Sequence, residues 1–449
     1  MLRHYFKTAL RSLLKNWTYS LVNIFGLAVG IAATLFISLW IIDEYNFDRF
    51  HTYAKSSFLV FKTYDKMGDI EVNRSTPYTL GPELKKRIPE IKSFVRRSSH
   101  RTIVTAGSHS HSESRICLTD TNFFTFFDFK FLSGNPEEAL LSPESIVITE
   151  STALKYFDDI EVIGKKITFE GGNIYNVTAV IEDLPENTHI QNNIFVRAES
   201  IFEGSVLSDW FDHYFSTYVR LDEDVPVKSF NEKATLIMQE NMENTSVNLQ
   251  GLAISDLHLK RLDNKKGRIQ YIYLFAVIGF LLIIIACINY INIYTSISVN
   301  RSHDIGLRKV VGASRRQIFF QFMGESFLQT LASLFLGISL MEILRPLFNR
   351  LTDKSLIIPY GSEWFLLTVL GLLFLTTILA GGYPAILISG SRPADVFRGK
   401  SVLGNDITFI RKILLIFQFS ISIGLIIVTL LINKHIKYVL INDLVFNKE

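Results

Sequence analysis

Residues 301–320, RSHDIGLRKVVGASRRQIFF, decide how the rest of the chain is read. They carry Arg301, Arg308, Lys309, Arg315 and Arg316 against one acid, Asp304, and lie between two apolar runs long enough to cross a bilayer. A basic segment in that position is a short loop on a membrane surface. Its apolar residues Ile305, Val310 and Val311 and its small residues Gly306, Gly312 and Ala313 leave one side able to lie on lipid or on another protein, while the charges face out. Two readings follow. The segment is a positive-inside anchor with no further role, or it is a docking helix (301–318) through which a cytoplasmic partner moves the membrane part.

Working outward, residues 17–42, 269–300, 364–391 and 413–433 contain no Asp, Glu, Lys or Arg, and 319–344 holds only Glu325 and Glu342. Each run exceeds the roughly 20 apolar residues that a spanning helix requires. The expected fold is therefore an α-helical polytopic membrane protein with five transmembrane helices. The first run is too long for a signal-peptide core, and the acidic, aromatic DEYNFDRF after it is no small-residue cleavage site. Basic residues gather before the first span (Arg3, Lys7, Arg11, Lys15), between the second and third, and after the fourth (Arg392, Arg398, Lys400, Arg411, Lys412). The positive-inside rule then puts the N-terminus and the loop 392–412 in the cytoplasm. Residues 43–268, the loop 345–363 and the segment 434–449 fall outside. The net charge of +3 suggests no nucleic-acid partner.

Residues 1–16 place apolar side chains at helical spacing with basic residues between them, which predicts an amphipathic helix along the inner surface. Gly26 and Gly30 form a G-x-x-x-G pair that allows close helix packing. Residues 43–268 read as a large α+β domain inserted between the first two spans. Strands are expected at 57–62, 145–149, 213–221 and 252–259, with a hairpin 166–170/173–180 around Gly171 and Gly172. Helices are expected over 81–97, interrupted before Pro89, from a Ser151 cap to Phe157, and from about Val227 with Phe230, Ala234, Ile237 and Met238 inward. In the third span Glu325 is either functional or an interfacial acid paired with Arg308, Arg315 or Arg316. Gly381, Gly382 and Pro384 should bend or loosen the fourth span near its inner end. Cys117 and Cys287 read as packing residues.

Chemistry-bearing patterns are missing. Gly399, Lys400 and Ser401 resemble the tail of a phosphate loop, but the required leading glycine position is Ala394. His109 and His111 alternate without a third metal ligand at telling spacing, and neither H-E-x-x-H nor a nucleophile elbow occurs. The sequence therefore predicts no catalytic, cofactor or metal site. The scarcity of charge within the spans argues against an ion-coupled transporter, so energy has to come from a partner.

The stretches NIFGLAVGIAATLFI, YNFDRFHTYAKSSFLVFKTY, TPYTLGPELKKRIPEIKSFVRR, VTAVIEDLPENTHIQNNIFV, RSHDIGLRKVVGASRRQIFFQFMGES and GGYPAILISGSRPADVFRGK follow one another along the chain. In these the chain resembles the MacB/FtsX-type permeases of ABC transporters, in their Bacteroidota form. The resemblance implies a MacB-like periplasmic core domain and location in the bacterial inner membrane. It also implies a separate cytoplasmic ABC ATPase subunit, with ATP and Mg bound there. Arg301, Asp304, Ile305, Gly306, Arg308, Lys309, Gly312 and Ala313 would dock on that subunit. Gly26, Gly30, Glu325 and Pro384 are the membrane-packing candidates. The implied function is mechanotransmission for export of a periplasmic or membrane substrate, such as an antimicrobial peptide or lipoprotein. The alternative is FtsX-type regulation of an extracytoplasmic partner such as a cell-wall hydrolase. Permease halves of this kind pair as homo- or pseudo-dimers and can meet a periplasmic adaptor. The Bacteroidota form usually continues into a second half, so residues 409–449 read as its beginning, either in a fragment or in a half permease completed by another chain.

Overall fold

The structure, a computed structural model, describes residues 11, 17–66, 69–202, 207–212, 214–242, 246–263, 266–390 and 405–442. The expected amphipathic helix 1–16, except for residue 11, and positions 392–404 of the basic loop lie outside the described residues. Among the described residues, five helices are long and apolar enough to cross a membrane: Trp17–Tyr45, Ile269–Ser296, Arg315–Thr352, Glu363–Gly390 and Phe409–His435. Hydrocarbon offers no water to backbone N–H and C=O groups, so helices that satisfy them internally are the stable way across.

The second helix does not stop at residue 300. It runs for 42 residues, Ile269–Val310, and the third begins at Arg315. The separate coupling helix expected over 301–318 is thus the last turns of one membrane helix, a corner, and the first turn of the next. No proline interrupts residues 297–310, so nothing in the sequence forces the helix to end where the apolar run does.

Small residues set the helix packing. A Cβ on Gly30 would lie 2.7 Å from Ala286 Cβ, and one on Gly26 3.2 Å from Asn289 Nδ2, so the G-x-x-x-G pair faces the second helix of the same chain. Gly337 brings the third helix against the first, where its Cβ would stand 3.1 Å from the Ala28 carbonyl oxygen. Gly381 brings the fourth against the third, 2.5 Å from Ser326 Cβ. Close backbone approach gains dispersion contacts that lipid tails cannot match in shape. Pro384 is buried in a helix that is assigned without interruption to Gly390. Along the fifth helix, Phe409–His435, no described residue is buried.

The chain divides into two compact units, residues 42–272 and the remainder. Unit 42–272 is built on one eleven-stranded sheet of order β11-β1-β10-β3-β4-β9-β6-β8-β5, with β2 paired to β1 and β7 to β3 and β8. The strands are β1 Ser57–Lys66, β2 Asp69–Asn73, β3 Ile91–Ala106, β4 His109–Thr119, β5 Phe131–Ser133, β6 Ser145–Thr149, β7 Lys166–Phe169, β8 Ile174–Ile181, β9 Ile194–Arg197, β10 Ser216–Leu221 and β11 Val247–Ala253. The β4–β9 and β6–β8 pairs are parallel, the others antiparallel. The β7–β8 hairpin forms as expected, with Gly171 and Gly172 at φ +99° and +91°, where a side chain would be strained. Helix Val227–Met242 turns Phe230, Ala234, Ile237 and Met238 inward, as its spacing predicts.

Three expectations fail here. Only Leu80–Arg87 is helical, and residues 91–97 begin the long strand β3. Pro89 ends the helix, and Arg96 is then held by a partner far along the chain. Thr149, not Ser151, stands before helix Glu150–Phe157, because Ser151 Oγ donates to Asp183 at 2.7 Å. Strand β11 ends at Ala253, and residues 254–256 form a 3-10 turn in place of the strand expected over 252–259.

Arg96 and Asp120 form a buried ion pair in the domain. The backbone N–H of Arg96 donates to Asp120 Oδ2 at 2.7 Å, its Nε to the same oxygen at 3.0 Å, and its Nη2 to Oδ1 at 2.5 Å. The guanidinium also lies 3.3 Å from the Tyr78 ring centroid. Removing one partner strands a desolvated charge. We expect Asp120→Ala to destabilise the domain by about 3–5 kcal/mol, read as a lower unfolding midpoint of the full chain.

Candidate coupling site

The corner between the second and third membrane helices is fixed by its own sequence. The Ala313 N–H donates to the Arg308 carbonyl at 2.9 Å and the Gly312 N–H to the Lys309 carbonyl at 3.1 Å, with Gly312 at φ +104°. This is a Schellman closure, in which a left-handed glycine satisfies the last carbonyls of the helix. The next helix opens two residues later. Ser314 Oγ accepts from the Gln317 N–H at 3.3 Å, and Gln317 Oε1 accepts from the Ser314 N–H at 2.8 Å, a capping box. Stop and start signals sit back to back, so the turn is short and rigid.

Side chains sort to two sides of this corner. Ile305 and Gly306 are buried, and Ile318 packs inward after the turn. Val310 is 65% and Val311 87% exposed, with Leu307 and Phe320 also open to the surroundings. Arg308, Arg315 and Arg316 are exposed around them, while Lys309 is half-buried and donates to the Ser389 carbonyl at 2.8 Å, in the last turn of the fourth helix. A cation there favours the negative end of the helix dipole. Of the eight expected docking residues, Arg308, Lys309, Gly312 and Ala313 lie at the corner, and Ile305 and Gly306 lie inside. The side chains of Arg301 and Asp304 lie outside the described residues. Leu307, Ser314 and Gln317 were not singled out from sequence, although S-x-x-Q is a recognisable start signal.

Glu325 sits 2% exposed, nearly three turns into the third helix. Tyr294 Oη donates to its Oε2 at 3.1 Å, and Gln321 Nε2 to its Oε1 at 3.3 Å. Arg308 does not pair with it directly. It donates to Gln321 Oε1 at 2.9 Å, so the amide relays between cation and acid. One turn on, Tyr290 Oη donates to Ser326 Oγ at 3.0 Å. The second and third helices are thus laced by side-chain hydrogen bonds running inward from the corner.

A second cluster, in unit 42–272, ties the chain leaving the first helix to the domain. Asp48, fully buried at φ +59°, accepts from Thr188 Oγ1 at 2.6 Å and from the His189 N–H at 3.0 Å. His189 Nε2 lies 3.0 Å from Tyr218 Oη. Burial opposes the Asp48 charge, but the bonds from His189 and Thr188 outweigh it and hold the carboxyl below its ordinary range. Glu44 lies 2.5 Å from His258 Nε2 and 3.9 Å from Arg268, so the exit of the first helix is bonded to the segment leading into the second. The motif stretches YNFDRFH and LPENTHI meet through these contacts, a pairing that sequence alone did not reveal. His109 Nδ1–H donates to the Tyr156 carbonyl at 3.0 Å, a structural use of that histidine, and among the described residues no group of acidic, His and Cys side chains could hold a metal.

A family model of the MacB-like periplasmic core domain matches residues 20–237, and one of the FtsX-like permease C-terminal matches residues 276–393. The chain belongs to the MacB/FtsX-type ABC permeases. Its core domain is the sheet-rich extracytoplasmic unit between the first two helices, and the FtsX-like part contains the corner and the polar lacing beneath it. The chain is similar to the macrolide export ATP-binding/permease protein MacB of Bdellovibrio bacteriovorus, 31% identical over 28% of this chain and 19% of that protein's length. It also resembles the uncharacterized ABC transporter permease YvrN of Bacillus subtilis, 21% identical over 89% of this chain and 100% of that one. The solved periplasmic region of MacB from Actinobacillus actinomycetemcomitans aligns with 45% of this chain and 91% of its own, at 15% identity and a TM-score of 0.35.

Two measurements test this geometry. Nothing lies within 4 Å of a Cβ on Gly312, so Gly312→Ala should cost only its left-handed strain, about 1 kcal/mol, with Gly312→Asn costing less. Unfolding midpoints of the full chain in detergent would show this order. His51 Nδ1 accepts from the Asp128 N–H at 3.2 Å, which requires a neutral ring, and burial pushes its pKa down to about 4. Stability from this neutral histidine is complete above its unfolded pKa near 6.5 and falls by up to about 3 kcal/mol as pH drops to about 4. His51→Asn, which keeps an acceptor that cannot titrate, should flatten that part of the stability–pH curve.

Proposed function

We propose that this chain is a permease subunit that receives ATP-driven motion from a separate cytoplasmic ATPase at the corner 307–320 and passes it to its extracytoplasmic domain, for export of a periplasmic or membrane substrate. The N-terminus and the corner then face the cytoplasm. One observation carries the reading: Val310 and Val311 stand exposed on a backbone locked by glycine and serine caps, with Arg308, Arg315 and Arg316 around them. Apolar anchors ringed by cations suit a partner groove with an acidic rim, and a rigid corner conveys displacement instead of absorbing it. The lacing through Gln321, Glu325 and Tyr294 supports transmission, since it links the corner to both helices leading away from it. The Bdellovibrio relative, named for macrolide export with an ATP-binding part, supports export as the output.

Arg316→Glu with Val311→Asp should weaken binding of the cognate ATPase subunit to purified chain at least about tenfold, measured by interferometry, with the unfolding midpoint unchanged, since both side chains are exposed and neither belongs to the lacing around Glu325. Equal binding by variant and wild type would sink the assignment. ATP-dependent departure of cargo from reconstituted vesicles separates export from FtsX-type regulation, which requires none.

A further inference from the structure

Beside the start of the second membrane helix, unit 42–272 holds a cavity of about 640 Å³. Among the described residues, its wall carries Arg74, Lys260, Arg261, Lys266 and Arg268 against a single acid, Asp263. Some of this charge is already answered. Asp263 takes two donors from Arg261, at 3.0 and 2.7 Å, Lys260 lies 2.7 Å from Asp256, and Arg268 lies 3.9 Å from Glu44. Arg74 and Lys266 are exposed and form no ion pair with any described residue. The loop bearing the cations is closed by a contact that only glycine permits, since a Cβ on Gly267 would come within 2.3 Å of the Leu259 carbonyl oxygen. The Ile269 N–H donates to that same carbonyl at 3.1 Å, which pins the loop to the beginning of the helix.

Cations gathered around a concave wall raise the local potential and favour an anion with several acceptor oxygens. A phosphate group has that form and takes donors from guanidinium and ammonium together. Tyr271 in the wall is exposed, in the first turn of the membrane helix, where aromatic rings settle at headgroup depth. We propose that this cavity binds a phosphate compound of net negative charge, either the headgroup of an anionic phospholipid or phosphate free in solution. The orientation proposed above adds weight, because on an outward flank a Lys/Arg excess serves no topological purpose.

The experiment follows thermal unfolding of the full chain in neutral detergent with added phosphatidylglycerol, phosphatidylcholine or inorganic phosphate. Phosphatidylglycerol at about tenfold over half-saturation should raise the wild-type midpoint by about 3 °C. Arg74→Glu with Lys266→Glu should abolish the rise while leaving the unliganded midpoint in place, since both side chains are exposed. Should that pair lower the unliganded midpoint, Arg74→Gln with Lys266→Gln replaces it and is read in the same way. A rise with lipid alone assigns the headgroup, and an equal rise with inorganic phosphate assigns a soluble phosphate. The same rise in wild type and variant, a rise with phosphatidylcholine as large as with phosphatidylglycerol, or no rise with any probe overturns the proposal. No ATPase takes part, so failure here leaves the coupling assignment standing.

Discussion

A peptide group in hydrocarbon has no water to bond, and the membrane half of this chain is arranged around that constraint. Helices satisfy it along their length, but every helix end leaves orphan carbonyls or amides. Between the second and third helices the Gly312 closure and the Ser314–Gln317 box satisfy both ends within a few residues. The corner therefore needs no solvent-filled loop, and its exposed surface is left to Leu307, Val310, Val311 and the surrounding arginines.

The same constraint governs the polar side chains behind the corner. Glu325 is tolerable in a helix bundle because Tyr294 and Gln321 bond to it, and because Gln321 in turn accepts from Arg308. Deleting one member would leave others desolvated, so the set acts as a unit. The glycines at 30, 337 and 381 draw backbones together and give these bonds a fixed separation to span. Packing and polarity cooperate to hold the bundle in one arrangement.

In the extracytoplasmic domain, the ends of the chain nearest the membrane are bonded to each other and to the sheet. Glu44 meets His258 and Arg268, while Asp48 meets the loop that precedes β9. A buried carboxylate held by several donors favours one geometry, because any alternative leaves it desolvated without those bonds.

Sequence by itself determined the five spans, the inserted α+β domain and the basic corner, because apolar run length, Gly-Gly turns and charge clusters act locally and need no partner to be read. The inward stripe of Val227–Met242 and the β7–β8 hairpin were legible for the same reason. Tertiary structure alone decided the strand fate of residues 91–97, the extension of the second helix to Val310, the relay from Arg308 to Glu325, and the meeting of Asp48 with His189. Each of these depends on groups brought together from distant or differently oriented parts of the chain. A buried charge or amide takes whatever partner the fold supplies, and its own neighbours in sequence carry no record of which one that is.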